Sequence, residues 1–160
     1  FIKKEEVNDL LKNIDLIESF NIKKIFPDRI LVKIKEEIPI AILNRKKEKF
    51  FITEANHLIE FRKNIIRKNL PYVFGNEAEK EFIKFNELLK ENDFPINLIK
   101  NFYFFKINRW DLHLLNEKVI KFPPNMLDQS IKKAIYILQD EEFKKYNIID
   151  LRISGKMIMQ

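Results

Sequence analysis

One stretch, Phe20–Glu36, constrains this chain more than any other. Phe20, Ile22, Lys24 and Phe26 alternate with Asn21, Lys23 and Ile25. Beyond Pro27 and Asp28, Ile30, Val32 and Ile34 alternate with Leu31, Lys33 and Lys35. A period of two belongs to strands. Pro27-Asp28 suits the central positions of a type I turn. The stretch therefore predicts a hairpin with one apolar and one mostly charged face, as a half-buried antiparallel pair requires.

Ahead of it, Lys3–Asn13 reads as an amphipathic helix. Val7, Leu10, Leu11 and Ile14 share one face, and Glu5 and Glu6 lie in the first turn, where the helix dipole favours acids. A short further turn is expected near Asp15–Glu18. After it, Pro39 interrupts the strand pattern, which places a boundary near Glu37–Ile40. A strand from Ile40 to Leu43 comes next. Phe50–Thr53 and Leu58–Phe61 then form a second hairpin around Glu54–His57, with Asn56 best able to take a left-handed conformation. Leu70–Gly75 is expected as an irregular apolar connector.

Glu77–Glu91 predicts a helix striped by Phe82, Phe85, Leu88 and Leu89. Strands follow at Asn101–Ile107, Trp110–Leu114 and Lys118–Phe122, with a tight turn at Asn116-Glu117. Met126–Leu138 is helical, with Ile131, Ala134, Ile135 and Leu138 on one side. Ile148–Arg152 and Lys156–Gln160 read as strands around Ser154-Gly155. The order defines an α+β fold in two lobes, residues 1–38 and 39–160, the second a larger mixed sheet with two covering helices.

Composition narrows the function. Hydrophobic residues are 46% and charged residues 34%, a balance for a packed domain rather than disorder. The chain starts at Phe1, which suggests a piece of a longer protein. No cysteine is present, so thiol chemistry and cysteine-ligated metal are excluded. No apolar run reaches the length of a membrane span. The net charge of +6 is spread among 24 acids, which fits a solvated surface better than a nucleic-acid face.

Reactive motifs are missing. His57 and His113, the two histidines, lie in different segments and outside any HExxH pattern, so no metal site is expected. His113 falls on the polar side of its strand. Gly-rich phosphate loops and a GxSxG elbow are absent, and no cofactor is implied. The run Phe102-Tyr103-Phe104-Phe105 reads as a buried strand between two covering layers. These readings point to a non-catalytic binding module.

Several separated segments together resemble the extracytoplasmic part of the bacterial cell-division protein FtsQ, called DivIB in some bacteria. Ile17–Glu36 with Pro39 and Ala41 is similar to the end of that family's POTRA domain, with Glu37 where a basic residue is common. Phe51–Ile59 resembles its V-D-x-x-G-x-V-F hairpin, with Asn56 in place of Gly and Thr53 in place of Asp. Leu70-Pro71 with Gly75 matches its L-P-x-x-x-G connector. Arg109–Leu114 with Asn116, Val119 and Pro123 is similar to R-W-D-L-x-L-x-N-G-x-x-V-x-L-P, with Glu117 for the turn Gly. Ile149-Asp150-Leu151-Arg152 matches the terminal I-D-L-R.

The resemblance implies a POTRA domain at 1–38, lacking its first strand, and an FtsQ-type β domain at 39–160. It implies a single-pass inner-membrane divisome scaffold, without catalytic role, whose present part lies in the periplasm at the septum. The expected partners are FtsB- and FtsL-like division proteins, with other divisome components at the POTRA lobe. Partner binding is expected at Arg152, Ile153, Ser154, Gly155, Lys156, Met157, Ile158 and Met159, by addition of a strand to the sheet edge. Ile153 stands where some members carry an aromatic. A POTRA-bearing component of outer-membrane transport or assembly is the alternative; it would share the first lobe only.

Overall fold

The computed structural model describes residues 3–63, 69–153 and 158–159. Its first helix, α1 (Lys4–Lys12), has Glu5 and Glu6 in the first turn and Lys12 in the last, each sign on the dipole's favoured end. It lies against a hairpin of β1 (Ile17–Ile25) and β2 (Arg29–Glu36). The ladder closes at Ile25–Arg29, so three residues connect the strands. Phe26, read from sequence as the end of the strand, belongs to that connection and is 82% exposed. The expected apolar face forms by pairing Phe20 with Ile34 and Ile22 with Val32. Phe20, Ile22, Ile30 and Val32 are half-buried there, as are Val7 and Leu11 of α1.

The chain leaves this two-stranded sheet at Glu36 and enters another at Pro39. Nine described strands build the second: β3 (Pro39–Arg45), β4 (Glu48–Thr53), β5 (Leu58–Glu60), β6 (Tyr72–Phe74), β7 (Ile99–Phe105), β8 (Arg109–Leu114), β9 (Val119–Lys121), β10 (Ile148–Asp150) and β11 (Ile158–Met159). Their order is β11-β10-β9-β8-β7-β6-β3-β4-β5. Parallel pairs at β3–β6, β6–β7 and β9–β10 make the sheet mixed. Two parallel connections, β6 to β7 and β9 to β10, run through α2 (Ala78–Glu91) and α3 (Leu127–Gln139), as parallel crossovers require.

Both helices serve one face of the sheet. Val73, Phe102, Leu112, Ile120 and Ile149 form a cross-strand row there, each at most 1% exposed. It packs into one core with Phe82, Phe85 and Leu89 of α2 and Ile131, Ala134 and Ile137 of α3. The Phe85 ring stacks on Trp110 at 5.0 Å, with Phe102 and Phe122 edge-on to it. Aromatic pairs of this kind add about 0.5–1.5 kcal/mol each beyond burial.

Two expectations change. The apolar connector at Leu70–Gly75 contains β6, which joins the halves of the sheet. Tyr72-Val73-Phe74 is too short to show alternation, so its burial rather than its period makes it a strand. The aromatic run of β7 is covered on one face only. Phe102 and Phe104 enter the core, Phe105 is 39% exposed, and Tyr103 stacks on Phe74 on the face away from the helices.

On that second face a smaller cluster forms from Ile42, Phe51 and Ile59. Leu16, from the connection between α1 and β1, packs against it. The Leu16 carbonyl accepts the Glu37 N–H at 2.8 Å, which carries the β1–β2 ladder one residue further and holds Leu16 where it meets the sheet. Among the described residues no helix is long and apolar enough to cross a membrane.

Candidate partner-binding edge

The register places a second row of side chains on the face opposite the helices: Phe74, Tyr103, Asp111, Lys121, Asp150 and Ile158, one each from β6 to β11. Three consecutive members are charged, and their signs alternate. Cross-strand neighbours of opposite sign attract. Beside them stand Arg109, two residues before Asp111, and Arg152, two residues after Asp150. A carboxylate–cation cluster thus spans β8, β9 and β10.

Arg152 closes on Asp150 as a fork. Its Nε donates to Oδ1 at 2.8 Å, and its Nη2 donates to Oδ2 at 2.5 Å. The Arg152 backbone N–H also donates to Oδ1, at 3.1 Å. The side-chain hydrogen bond from Arg152 holds the Asp150 carboxyl below its usual range. The same bond strengthens the hold of Arg152 on its proton.

Asp111 behaves in the opposite way. Burial pushes its carboxyl up, against the pull of Arg109, Arg152 and Lys121, and Asp150 adds to the upward shift. Asp111 is 6% exposed. Its Oδ1 lies 3.3 Å from Arg109 Nε, within ion-pair distance, yet neither atom has a well-aligned hydrogen-bond partner. Arg109 instead stacks its guanidinium 3.8 Å from the centre of the Phe105 ring. Next along β8, His113 leans on Tyr103 at 4.5 Å, and burial lowers its pKa.

Past Arg152, the outermost described strand is β11. Asp150 pairs with Ile158 and Ile149 with Met159, antiparallel, and among the described residues no strand lies beyond β11 on that side. Of the residues expected to bind a partner, Arg152 leads out of β10 and Ile153 is 49% exposed. Ile158 is 41% exposed in β11, beside Met159. Ser154, Gly155, Lys156 and Met157 lie outside the described residues. Sequence reasoning placed Arg152 but missed Asp111 and Lys121 beside it. The alternation Arg109-Trp110-Asp111 puts Asp111 and Arg109 on one face of β8, but only the register of three strands brings them to Arg152. Among the described residues no group of three or more His, Asp or Glu could hold a metal ion.

The fold and this edge define an α+β module in which a helix-and-hairpin unit precedes a large, helix-backed mixed sheet ending in a short outer strand. Proteins named cell division protein FtsQ are similar to it. That of Rhizobium radiobacter is 25% identical over 146 residues, covering 90% of this chain and 70% of the relative. Bartonella bacilliformis FtsQ is 27% identical over 86% of the chain and 45% of the relative. For Rickettsia conorii FtsQ the values are 24%, 99% and 60%. The chain is similar to these FtsQ proteins over most of its own length, and it spans between 45% and 70% of theirs. No family profile matches it. Among solved structures, the major extracytoplasmic domain of DivIB from Geobacillus stearothermophilus gives a TM-score of 0.43 at 11% identity, covering 61% of this chain and 87% of that one.

Proposed function

We propose that this chain works in cell division as a non-catalytic scaffold that captures FtsB- and FtsL-type partners by strand addition at the edge following Arg152. The supporting observation is the position of β11. It is a two-residue strand at the end of a large sheet, and an outermost strand keeps unpaired N–H and C=O groups. An extended peptide adds to such an edge through main-chain hydrogen bonds, while neighbouring side chains select it. Arg152, Ile153 and the residues to Met159 supply those side chains. The Asp150 fork holds Arg152 at the root of the edge.

In this reading residues 1–38 are the POTRA unit and residues 39–160 the β domain. The division complex is reached from the periplasm, with the whole protein anchored by one inner-membrane helix. The test is a pull-down with the periplasmic segment of an FtsB-like partner. Wild type is compared with Arg152→Ala and with a chain cut after Arg152. The cut chain should fold, by its circular dichroism and thermal transition, and should fail to capture. Arg152→Ala should capture weakly. Undiminished capture by the folded cut chain would refute the edge mechanism.

A further inference from the structure

A second edge, far from the first in sequence, carries its own complementarity. Strand β1 pairs only with β2, and among the described residues no strand lies along its outer side. That edge is nine residues long, Ile17-Glu18-Ser19-Phe20-Asn21-Ile22-Lys23-Lys24-Ile25. Long open edges are ordinarily blunted by charge. Among the described residues no strand lies along the other side of β2 either, and β2 follows that rule, with Arg29, Lys33 and Lys35 along it. Pairing two β2 strands in any face-preserving antiparallel register sets cation against cation or cation against an apolar residue.

The β1 sequence is different, because it complements itself. About Asn21, residues at equal distance match: Phe20 with Ile22, Glu18 with Lys24, and Ile17 with Ile25. Ser19 meets Lys23 without conflict. An antiparallel pair of β1 strands related by a two-fold axis through Asn21 would bring these residues directly opposite one another. Residues at equal distance from the axis also share a face, so the pleat is respected. Phe20 and Ile22, half-buried beside α1, would extend one apolar face across both copies. Asn21, exposed on the other face, would meet its own copy. Glu18 already pairs with Lys35 of its own hairpin at 2.6 Å, and Lys24 of the second copy would give it a second cation.

We propose that β1 is a self-association edge, where a second copy of this chain pairs antiparallel to form one four-stranded sheet from two hairpins. An isologous contact of this kind closes after two copies and cannot propagate. It uses a surface separate from the β11 edge, so it stands or falls without the partner-binding proposal.

The chain has no cysteine, which makes the test direct. In Asn21→Cys, the two new thiols face each other across the axis. Directly opposed Cβ atoms lie about 4.5–5.5 Å apart, close enough to cross-link with small adjustment. Under mild oxidation the variant should form a disulfide dimer, while Lys33→Cys on the β2 edge should stay monomeric at the same concentration. A charge exchange supplies the second arm, read by sedimentation equilibrium without cross-linking. Lys24→Glu opposes two acids at both ends of the ladder and should weaken association by roughly tenfold. Adding Glu18→Lys restores opposite signs and should recover it. Equal cross-linking at Asn21 and Lys33, or no association of wild type at any concentration reached, would overturn the proposal. So would a double variant as weak as Lys24→Glu.

Discussion

Gly75→Ala is the sharpest test of how the sheet is joined. Gly75 directly follows β6 with φ at +124°, a conformation that side-chain-bearing residues avoid. A Cβ built there would lie 2.4 Å from the Phe104 carbonyl oxygen and 2.9 Å from the Phe104 Cβ. Ordinary contact begins near 3.4 Å, so the Phe104 backbone would have to retreat by about 1 Å. That backbone belongs to β7, and Phe104 packs against Trp110 at 4.8 Å, so it cannot move alone. Backbone strain of this kind costs about 1–3 kcal/mol. Displacing a packed strand costs a further 1–3 kcal/mol or so. Together the substitution should remove about 2–6 kcal/mol, read by urea unfolding of the purified chain. Asn76→Ala, one residue on and exposed, should stay within about 0.5 kcal/mol of wild type. A loss below about 1 kcal/mol for Gly75→Ala would mean that the close approach of β6 and β7 at this turn is wrong.

The two buried aspartates should carry opposite pH signatures. The Asp150 carboxyl is depressed, so its contribution is present above the ordinary carboxylate range and is lost as pH falls through the folded value; Asp150→Asn should flatten the acid limb of a stability–pH curve. Asp111 is raised, so the folded state holds its proton more tightly and stability declines as pH climbs out of that range; Asp111→Asn should remove the decline, and an unchanged curve would refute the assigned burial. At the joint between the sheets, Glu37 is 8% exposed and its Oε1 lies 2.5 Å from His57 Nδ1. Burial alone would raise Glu37, but hydrogen bonds from His57 and Thr53 and the charges of His57 and Lys35 hold it low, so its contribution also disappears in acid. His57→Ala should cost about 1–3 kcal/mol by stranding that carboxylate, and Glu37→Leu/His57→Ala should cost less than the single changes added together, as a double-mutant cycle in urea would show.

Period was legible in the sequence, and partnership was not. The alternation in Phe20–Glu36 and the stripe Phe82-Phe85-Leu89 announced a hairpin and a helix because each is a local pattern. Asn56 and the Asn116-Glu117 turn were readable for the same reason: both Asn56 and Glu117 take positive φ. Strand β6 was not readable, since three apolar residues between Pro71 and Gly75 carry no period. Nor was the covered side of β7. Phe102-Tyr103-Phe104-Phe105 is aromatic throughout, and only the placement of α2 and α3 decides which rings are buried. At the candidate edge, Arg152 was found as a matched residue. Its grip on Asp150 is local, two residues away, whereas its nearness to Asp111 and Lys121 depends on strand order.

That strand order also explains why charge collects at one end of an otherwise apolar sheet. On the uncovered face the β3–β5 side is sealed by Leu16 and its neighbours, so it can be apolar. Among the described residues no apolar cluster like that one is packed on the β8–β10 side, which carries Asp111, Lys121 and Asp150 in register. Alternating signs in a row satisfy one another without a covering layer, and Arg109 and Arg152 complete the balance. A carboxylate as buried as Asp111 would be costly to charge among apolar neighbours. Here three cations surround it, and removing any one should raise its carboxyl further. The same cluster borders the strand proposed to receive a partner. An approaching acidic side chain would meet Arg152 already engaged by Asp150, and an approaching basic one would find Asp111 Oδ1 without a hydrogen bond. Selectivity at this edge therefore rests on how strongly Asp150 holds Arg152. Asp150→Asn, which releases Arg152, should change which charge the edge prefers while leaving β11 in place.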